Sequence, residues 1–323
     1  MWGINLEKIR FGKTDLKVSR IGLGTLAFGH KFKGIQDKDQ IHNCINFALD
    51  NGINLIDTAE EYAGGIAEQH IGDVIKERGD REDIVLVTKV SKLNLSYKNV
   101  LKSAKRSLKH LQFDHIDVYL IHWPDTYSPL SETMKAMDEL LEEGLVRYIG
   151  VSNFPNTLLQ EANNYLQNGS IVVNELEYNL INRSIEKEIL PFLRQQNIPA
   201  LTYKPLYSGY LTTNFDENYV FPDNDYRKQW ELYRHKENFE ITRELFKTLR
   251  EIAKNHEVTP AEVATNWLLK DTDIIPIIGS AKISHIESSI HATQWRLSND
   301  EISQLNAVSD NLELNFDWLD RVR

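Results

Sequence analysis

The sequence predicts an α/β fold: a closed (β/α)8 TIM barrel of parallel strands ringed by helices. Three observations carry this. Short β-branched runs alternate with helix-length amphipathic segments, the runs number eight, and 323 residues hold such a barrel with long loops to spare. Alternation of strand and helix implies a parallel sheet covered on both faces. Closure needs roughly 250 residues, and eight units fit it better than an open sheet, which often keeps an antiparallel edge strand. The whole chain, 1–323, is read as one domain.

Ahead of the barrel, Ile9–Thr14 and Leu16–Val18 read as a small N-terminal β-hairpin capping the barrel floor. The eight strands are expected at Val18–Leu23, Asn54–Asp57, Ile84–Lys89, Val118–Ile121, Tyr148–Ser152, Val172–Leu176, Ala200–Tyr203 and Ile274–Ile278. Helices between them show apolar residues three and four apart, as at Ile41, Ile45, Phe47 and Ala48, or Met134, Met137, Leu140 and Leu141. Two helix starts carry capping boxes, Thr259-Pro260-Ala261-Glu262 and Ser298-Asn299-Asp300-Glu301, the second before a helix ending near Ala307. One long loop breaks the rhythm after strand 7, from Ser208 to about Glu240. It is too polar for core, yet it carries Phe215, Tyr219, Phe221, Tyr226, Trp230, Tyr233 and Phe239. A long loop inside a compact domain is usually functional.

Composition excludes several partners. Lys and Arg total 37 against 47 Asp and Glu, a net charge of −10, which argues against nucleic acid or an anionic membrane. The N-terminal residues lack the apolar run of a signal peptide, and no stretch approaches the roughly 20 apolar residues of a membrane span. Cys44 is the only cysteine and reads as helix packing in CINFALD, compatible with a reducing compartment. The ten histidines form no HxxxH pair, so no metal is expected. A cytoplasmic protein is the resulting expectation. The glycines of GLGTLAFG, Gly22, Gly24 and Gly29, imitate a dinucleotide fingerprint. The spacing fails at Ala27, and no helix opens directly after them to hold a pyrophosphate. They are read instead as permitting a tight strand-to-loop exit.

Parallel barrels carry their chemistry at the C-terminal ends of strands. Asp57 ends the second strand with Tyr62 in the attached loop, Lys89 ends the third, and His122 ends the fourth. Each alone has an ordinary reading: a helix cap, a core histidine, a lysine reaching for water. Their coincidence at one rim is informative. Here the chain resembles the aldo-keto reductase family, from Lys8 to about Leu305. The motifs are Asp57-Thr58-Ala59-Glu60-Glu61-Tyr62 continuing to Glu68 and Ile71-Gly72, Val87-Thr88-Lys89, Leu120-Ile121-His122-Trp123-Pro124, and Arg147 through Phe154.

That resemblance implies an NAD(P)(H)-dependent oxidoreductase that interconverts aldehydes, ketones or sugars with alcohols by hydride transfer. It implies a catalytic tetrad in which Tyr62 gives the proton, Lys89 lowers the Tyr62 pKa, Asp57 holds Lys89, and His122 meets the substrate oxygen. It also implies cofactor contacts from Gly24, Thr25 and Asp57. Ser152 and Asn153 would hold the carboxamide, with helix capping as their other reading. Tyr203 would stack on the ring, Leu206, Ser208, Gly209 and Leu211 would follow the pyrophosphate, and Ser280, Lys282 and His285 would lie near the adenosine phosphate. Leu26, Phe28 and Trp123 would wall the substrate pocket, or else merely pack the rim.

The chain also departs from the family. Glu175 stands where many relatives carry glutamine, and an ionised carboxylate there would favour the oxidised cofactor. A register shift placing Asn174 at the contact is the competing reading. His285 replaces a phosphate-binding arginine, and Ser288 and Ser289 replace a Glu-Asn pair. Lys282 keeps a point charge, so NADP(H) is expected ahead of NAD(H). Lys204, where serine is common, reads as a solvated side chain or a pyrophosphate contact. Two rival functions remain open at this level: a slow, cofactor-retaining channel-regulatory subunit, and a lyase using Lys89 as a Schiff base.

Overall fold

The computed structural model describes residues 6–29, 36–215, 218–223, 225–280, 282–310 and 312–314. Strands β1 (Lys8–Arg10) and β2 (Lys17–Ser19) form an antiparallel hairpin with Ile9 opposite Val18. The barrel follows: β3 (Gly22–Gly24), β4 (Leu55–Asp57), β5 (Val85–Val90), β6 (Ile116–Ile121), β7 (Val146–Ser152), β8 (Ile171–Glu177), β9 (Ala200–Tyr203) and β10 (Ile274–Gly279). These eight pair in chain order, all parallel, and β10 closes on β3 with Ile278 opposite Leu23. All eight expected barrel strands are present.

One boundary differs. The run Val18–Leu23 divides into the end of β2 and the start of β3. Ser19 Oγ turns back to donate to the Ile21 carbonyl at 2.7 Å. The buried Arg20 guanidinium donates to the carbonyls of Leu269, Asp271, Thr272 and Ile274, tying the hairpin to the barrel floor. Phe11, Leu16 and Val18 cluster with Leu55, Val118 and Leu201 inside the barrel, so the hairpin plugs its lower end.

Helices cover the outer face of the barrel and side chains fill its interior, as a parallel sheet requires. The helix Lys38–Asp50 buries Ile41, Cys44, Ile45 and Ala48, and Cys44 packs there as anticipated. Both capping boxes form, before Pro260–Leu268 and Asn299–Ser309. Gly22 and Gly24 do something other than ease a loop exit. A Cβ at Gly22 would stand 2.6 Å from Ile277 Cδ1 and 2.9 Å from Leu55 Cδ2, inside the barrel. Gly22→Ala is expected to cost about 1–3 kcal/mol by overpacking, read as a lower urea midpoint at unchanged slope.

The segment after β9 is not a bare loop. It contains short helical turns at Tyr207–Thr212, Tyr226–Gln229, Glu231–Arg234 and Glu237–Ile241. Phe215, Tyr233 and Phe239 are buried, which corrects the reading that this stretch is too polar for core. Phe215 stacks on Phe221 at 5.3 Å, and Tyr210 meets Tyr233 edge-on at 5.4 Å. The Tyr226 side chain lies outside the described residues.

A bulge between β7 and β8 settles which face Glu175 takes. Ile149 pairs with Ile171 but Val151 pairs with Asn174, so β8 carries an extra residue. Val172 and Val173 both join the interior cluster. Alternation then resumes from Val173, turning Glu175 inward.

Candidate active site

Each of the eight barrel strands delivers a residue anticipated from the sequence to the same rim. Asp57 ends β4, Lys89 lies one residue from the end of β5, and His122 follows β6. Ser152 ends β7, Glu175 lies near the end of β8, Tyr203 ends β9, and Ser280 follows β10. Gly24 ends β3, and the Thr25 hydroxyl donates to the Asp57 carbonyl at 2.9 Å.

Lys89 is the centre. Its side chain is fully buried, and Nζ donates to Asp57 Oδ1 and Oδ2 at 2.7 and 2.6 Å and to the Thr58 carbonyl at 2.9 Å. Glu175 Oε2 lies 3.2 Å from the same nitrogen. Burial works against the charge, but Asp57 and Glu175 more than offset it, so the Lys89 ammonium is held well above its ordinary range. The Tyr62 ring sits 5.4 Å from Nζ, and the His122 ring meets Tyr62 edge-on at 5.9 Å. The structure brings Asp57, Tyr62, Lys89 and His122 together.

Lys89 lowers the Tyr62 pKa as expected, but the net shift runs the other way. Burial pushes the Tyr62 phenol above its ordinary value. Lys89 pulls the other way, while Asp57 and Glu175 add to the rise. The pull of the ammonium on the phenol is second only to the cost of burying the phenolate, which outweighs it.

The sequence reading missed Glu61. Its Oε2 approaches His122 Nδ1 to 2.8 Å, a close contact without aligned hydrogen-bond geometry. Its Oε1 accepts from Ser91 Oγ at 2.8 Å. The His122 contact holds Glu61 below the usual carboxylate range despite burial. The signal was available, since Glu61 stands beside Tyr62 in the motif.

Ser152 and Asn153 do not cap a helix: the next one starts at Asn156 with Pro155 before it and no side-chain cap. Ser152 Oγ donates to the Glu175 carbonyl at 3.0 Å. Asn153 turns out of β7 with φ 62, a conformation asparagine tolerates. Its amide donates to Ser152 Oγ and accepts from the Tyr203 hydroxyl at 2.8 Å. Asn174 is buried on the other face and donates to the Phe154 carbonyl, which removes the register alternative.

Beyond β9 the backbone takes three consecutive left-handed residues, Tyr207, Ser208 and Gly209. Strain of this kind clusters at ligand clamps. Leu206 is half-buried beside them, whereas the Leu211 side chain is fully buried in core. Lys204 is exposed, pairs with Glu177 at 2.7 Å and lies 5.6 Å from the Trp230 ring, in keeping with the solvated reading. Ser280 Oγ donates to the Lys282 carbonyl at 2.8 Å, and Lys282 itself is exposed. Partial burial and the neighbouring Lys282 keep the His285 imidazole below its ordinary range, so it offers no cation in place of arginine.

Of the three expected pocket residues, Phe28 is a correction. It is 0% exposed and clusters with Leu23, Ile41 and Ile71, so it packs the core. Leu26 is 45% exposed at the rim. Trp123 lines a cleft of about 300 Å³ with Asn153, Phe154, Leu176, Glu177 and Tyr203. The tetrad lies beside this cleft rather than in its lining.

The family model described as "Aldo/keto reductase family" matches residues 20–310. Aldo-keto reductase YhdN of Bacillus subtilis is 32% identical over 95% of this chain and 94% of its own length. The NADH-specific methylglyoxal reductase of Escherichia coli is 30% identical over 95% of this chain and 100% of its own. A crystal structure of an aldo-keto reductase from Klebsiella pneumoniae in complex with NADPH superposes with a TM-score of 0.76. It is 29% identical and covers 94% of this chain and 95% of that one. With a closed parallel barrel, the four rim residues assembled and the family's length matched nearly end to end, the chain belongs to the aldo/keto reductase family.

Proposed function

We propose that the protein is an NADP(H)-dependent oxidoreductase that interconverts aldehydes or ketones with alcohols, Tyr62 being the proton donor. The observation that carries this reading is a buried ammonium, Lys89, held by Asp57 beside the Tyr62 ring, with His122 edge-on to the same ring. Among the described residues no helix is long and apolar enough to cross a membrane. With a single cysteine, a cytoplasmic setting is the natural one.

The residues present fit a nicotinamide dinucleotide. The mouth holds a buried carboxylate oxygen without a hydrogen-bond partner, Glu175 Oε2, which can accept from a carboxamide NH2. Asn153 and Ser152 offer further polar atoms beside it, and the half-buried Tyr203 ring offers a flat face for stacking. The left-handed run at 207–209 and Gly209 would let backbone approach a pyrophosphate. Lys282 and Ser280 would meet an adenosine phosphate. When bound, the cofactor supplies or accepts a hydride. Tyr62 then gives its proton to the carbonyl oxygen as negative charge grows there, and in the reverse direction takes it back. Lys89 stabilises the phenolate left behind, Asp57 keeps Lys89 charged and in place, and His122, oriented by Glu61, hydrogen-bonds the same oxygen.

An absorbance assay at the reduced-nicotinamide band, run with NADPH and NADH against a carbonyl panel, tests the reading. NADPH is expected to be oxidised at lower KM than NADH. Lys282→Ala should raise the KM for NADPH about tenfold, the worth of one charge-assisted hydrogen bond, and leave NADH unchanged. An equal loss with both coenzymes would place Lys282 away from the phosphate, and no oxidation of either would remove the proposed activity.

A further inference from the structure

Glu175 is the carboxylate that the proton transfer does not use. The β8 bulge turns it into the mouth, where it is 3% exposed. Its Oε2 lies 3.2 Å from Lys89 Nζ yet has no hydrogen-bond partner, because Asp57 and the Thr58 carbonyl already take the ammonium's protons. The groups facing it are Asp57 from β4, Tyr62 from the turn after β4, Lys89 from β5 and Tyr203 from β9. From β7 comes only uncharged Ser152, bonded to Glu175's own carbonyl. One cation therefore faces two carboxylates, and with both ionised a negative charge is left uncompensated in a buried site.

We propose that Glu175 makes cofactor affinity depend jointly on redox state and on proton concentration: ionised, it selects the oxidised, cationic nicotinamide; protonated, it does not. This rests on the nicotinamide reading of the site given above. The reduced ring is neutral and the oxidised ring carries a positive charge, so an adjacent carboxylate discriminates between them by its charge alone. At an effective dielectric constant of about 20 and a separation of about 6 Å, the attraction exceeds a tenfold preference. Burial, reinforced by Asp57, pushes the Glu175 carboxyl up to about 8. The selection therefore switches on as the solution turns mildly alkaline. By linkage, binding of the oxidised form favours the ionised carboxylate and expels its proton, whereas binding of the reduced form expels none.

The test uses binding rather than turnover. Dissociation constants for NADP+ and NADPH are measured by titration calorimetry at about pH 6 and about pH 9.5, in buffers of different ionisation enthalpy, for wild type and Glu175→Gln. The expected wild-type result is a Kd ratio, NADP+ over NADPH, that falls about tenfold across this range. Near pH 8, NADP+ binding should also release a fraction of a proton. In Glu175→Gln the ratio should be flat and the release absent. A flat wild-type ratio overturns the proposal without needing the variant, and so does a slope that survives Glu175→Gln. If neither nucleotide binds, the nicotinamide reading itself falls and takes this inference with it; if both bind at a constant ratio, only the inference falls.

Discussion

Tyr62→Phe is expected to lower kcat for carbonyl reduction by about 10²- to 10⁴-fold while NADPH binds as tightly as in wild type. The substitution removes one hydroxyl from a ring whose position is set by its neighbours: Lys89 at 5.4 Å from the ring centre and His122 edge-on at 5.9 Å. Neither contact needs the oxygen, so the mouth keeps its shape and the variant isolates the proton. Burial holds the phenol above its ordinary value, so Tyr62 stays protonated throughout the neutral and mildly alkaline range. A loss of activity in wild type near pH 8 would therefore report on another group. Stopped-flow fluorescence for NADPH binding and steady-state turnover on the same preparation separate the two effects. Turnover close to wild type on every carbonyl tried would remove Tyr62 from the proton path.

Much of this site was legible because a parallel barrel turns a one-dimensional feature, the end of an apolar run, into a position in space. Asp57, Lys89 and His122 each close such a run, and the fold brings those ends to one rim. Where the sequence misled, a local pattern was overridden by contacts distant along the chain. Val18–Leu23 reads as one strand, but Arg20 is drawn to carbonyls some 250 residues away, and the strand breaks there. Phe28 in a glycine-rich loop reads equally as pocket wall or core, and only packing against Ile41 and Ile71 decides it. Glu175 and Asn174 were indistinguishable because the bulge in β8 suspends the period of two. The direction of the Tyr62 shift depended first on burial of the phenol and then on the carboxylates beside Lys89, neither of which a motif contains.

Lys89→Met should unsettle the whole mouth, and pH shows why. In wild type the ammonium separates Asp57, at 2.6 Å, from Glu175, at 3.2 Å. Methionine fills much of the volume but leaves two buried carboxylates facing each other. Breaking a buried pair from one side costs about 3–5 kcal/mol, and the penalty falls on the ionised state of the partners left behind. Glu175, pushed up to about 8 even with Lys89 present, would hold its proton still more firmly in the variant. The folded variant then binds more protons than the unfolded chain, so its stability must fall as pH rises from the ordinary carboxylate range through the folded-state value. Wild-type Glu175 also keeps its proton up to about 8, so the two proteins fall together below that. Urea denaturation should show the deficit of Lys89→Met widening as the solution is taken from about pH 8 to about pH 9.5. Adding Glu175→Gln should restore part of the extra loss at about pH 9.5, a non-additivity that a purely steric defect would not give. A deficit of equal size at both pH values, unrelieved by Glu175→Gln, would mean that charge is not what Lys89 contributes to the fold.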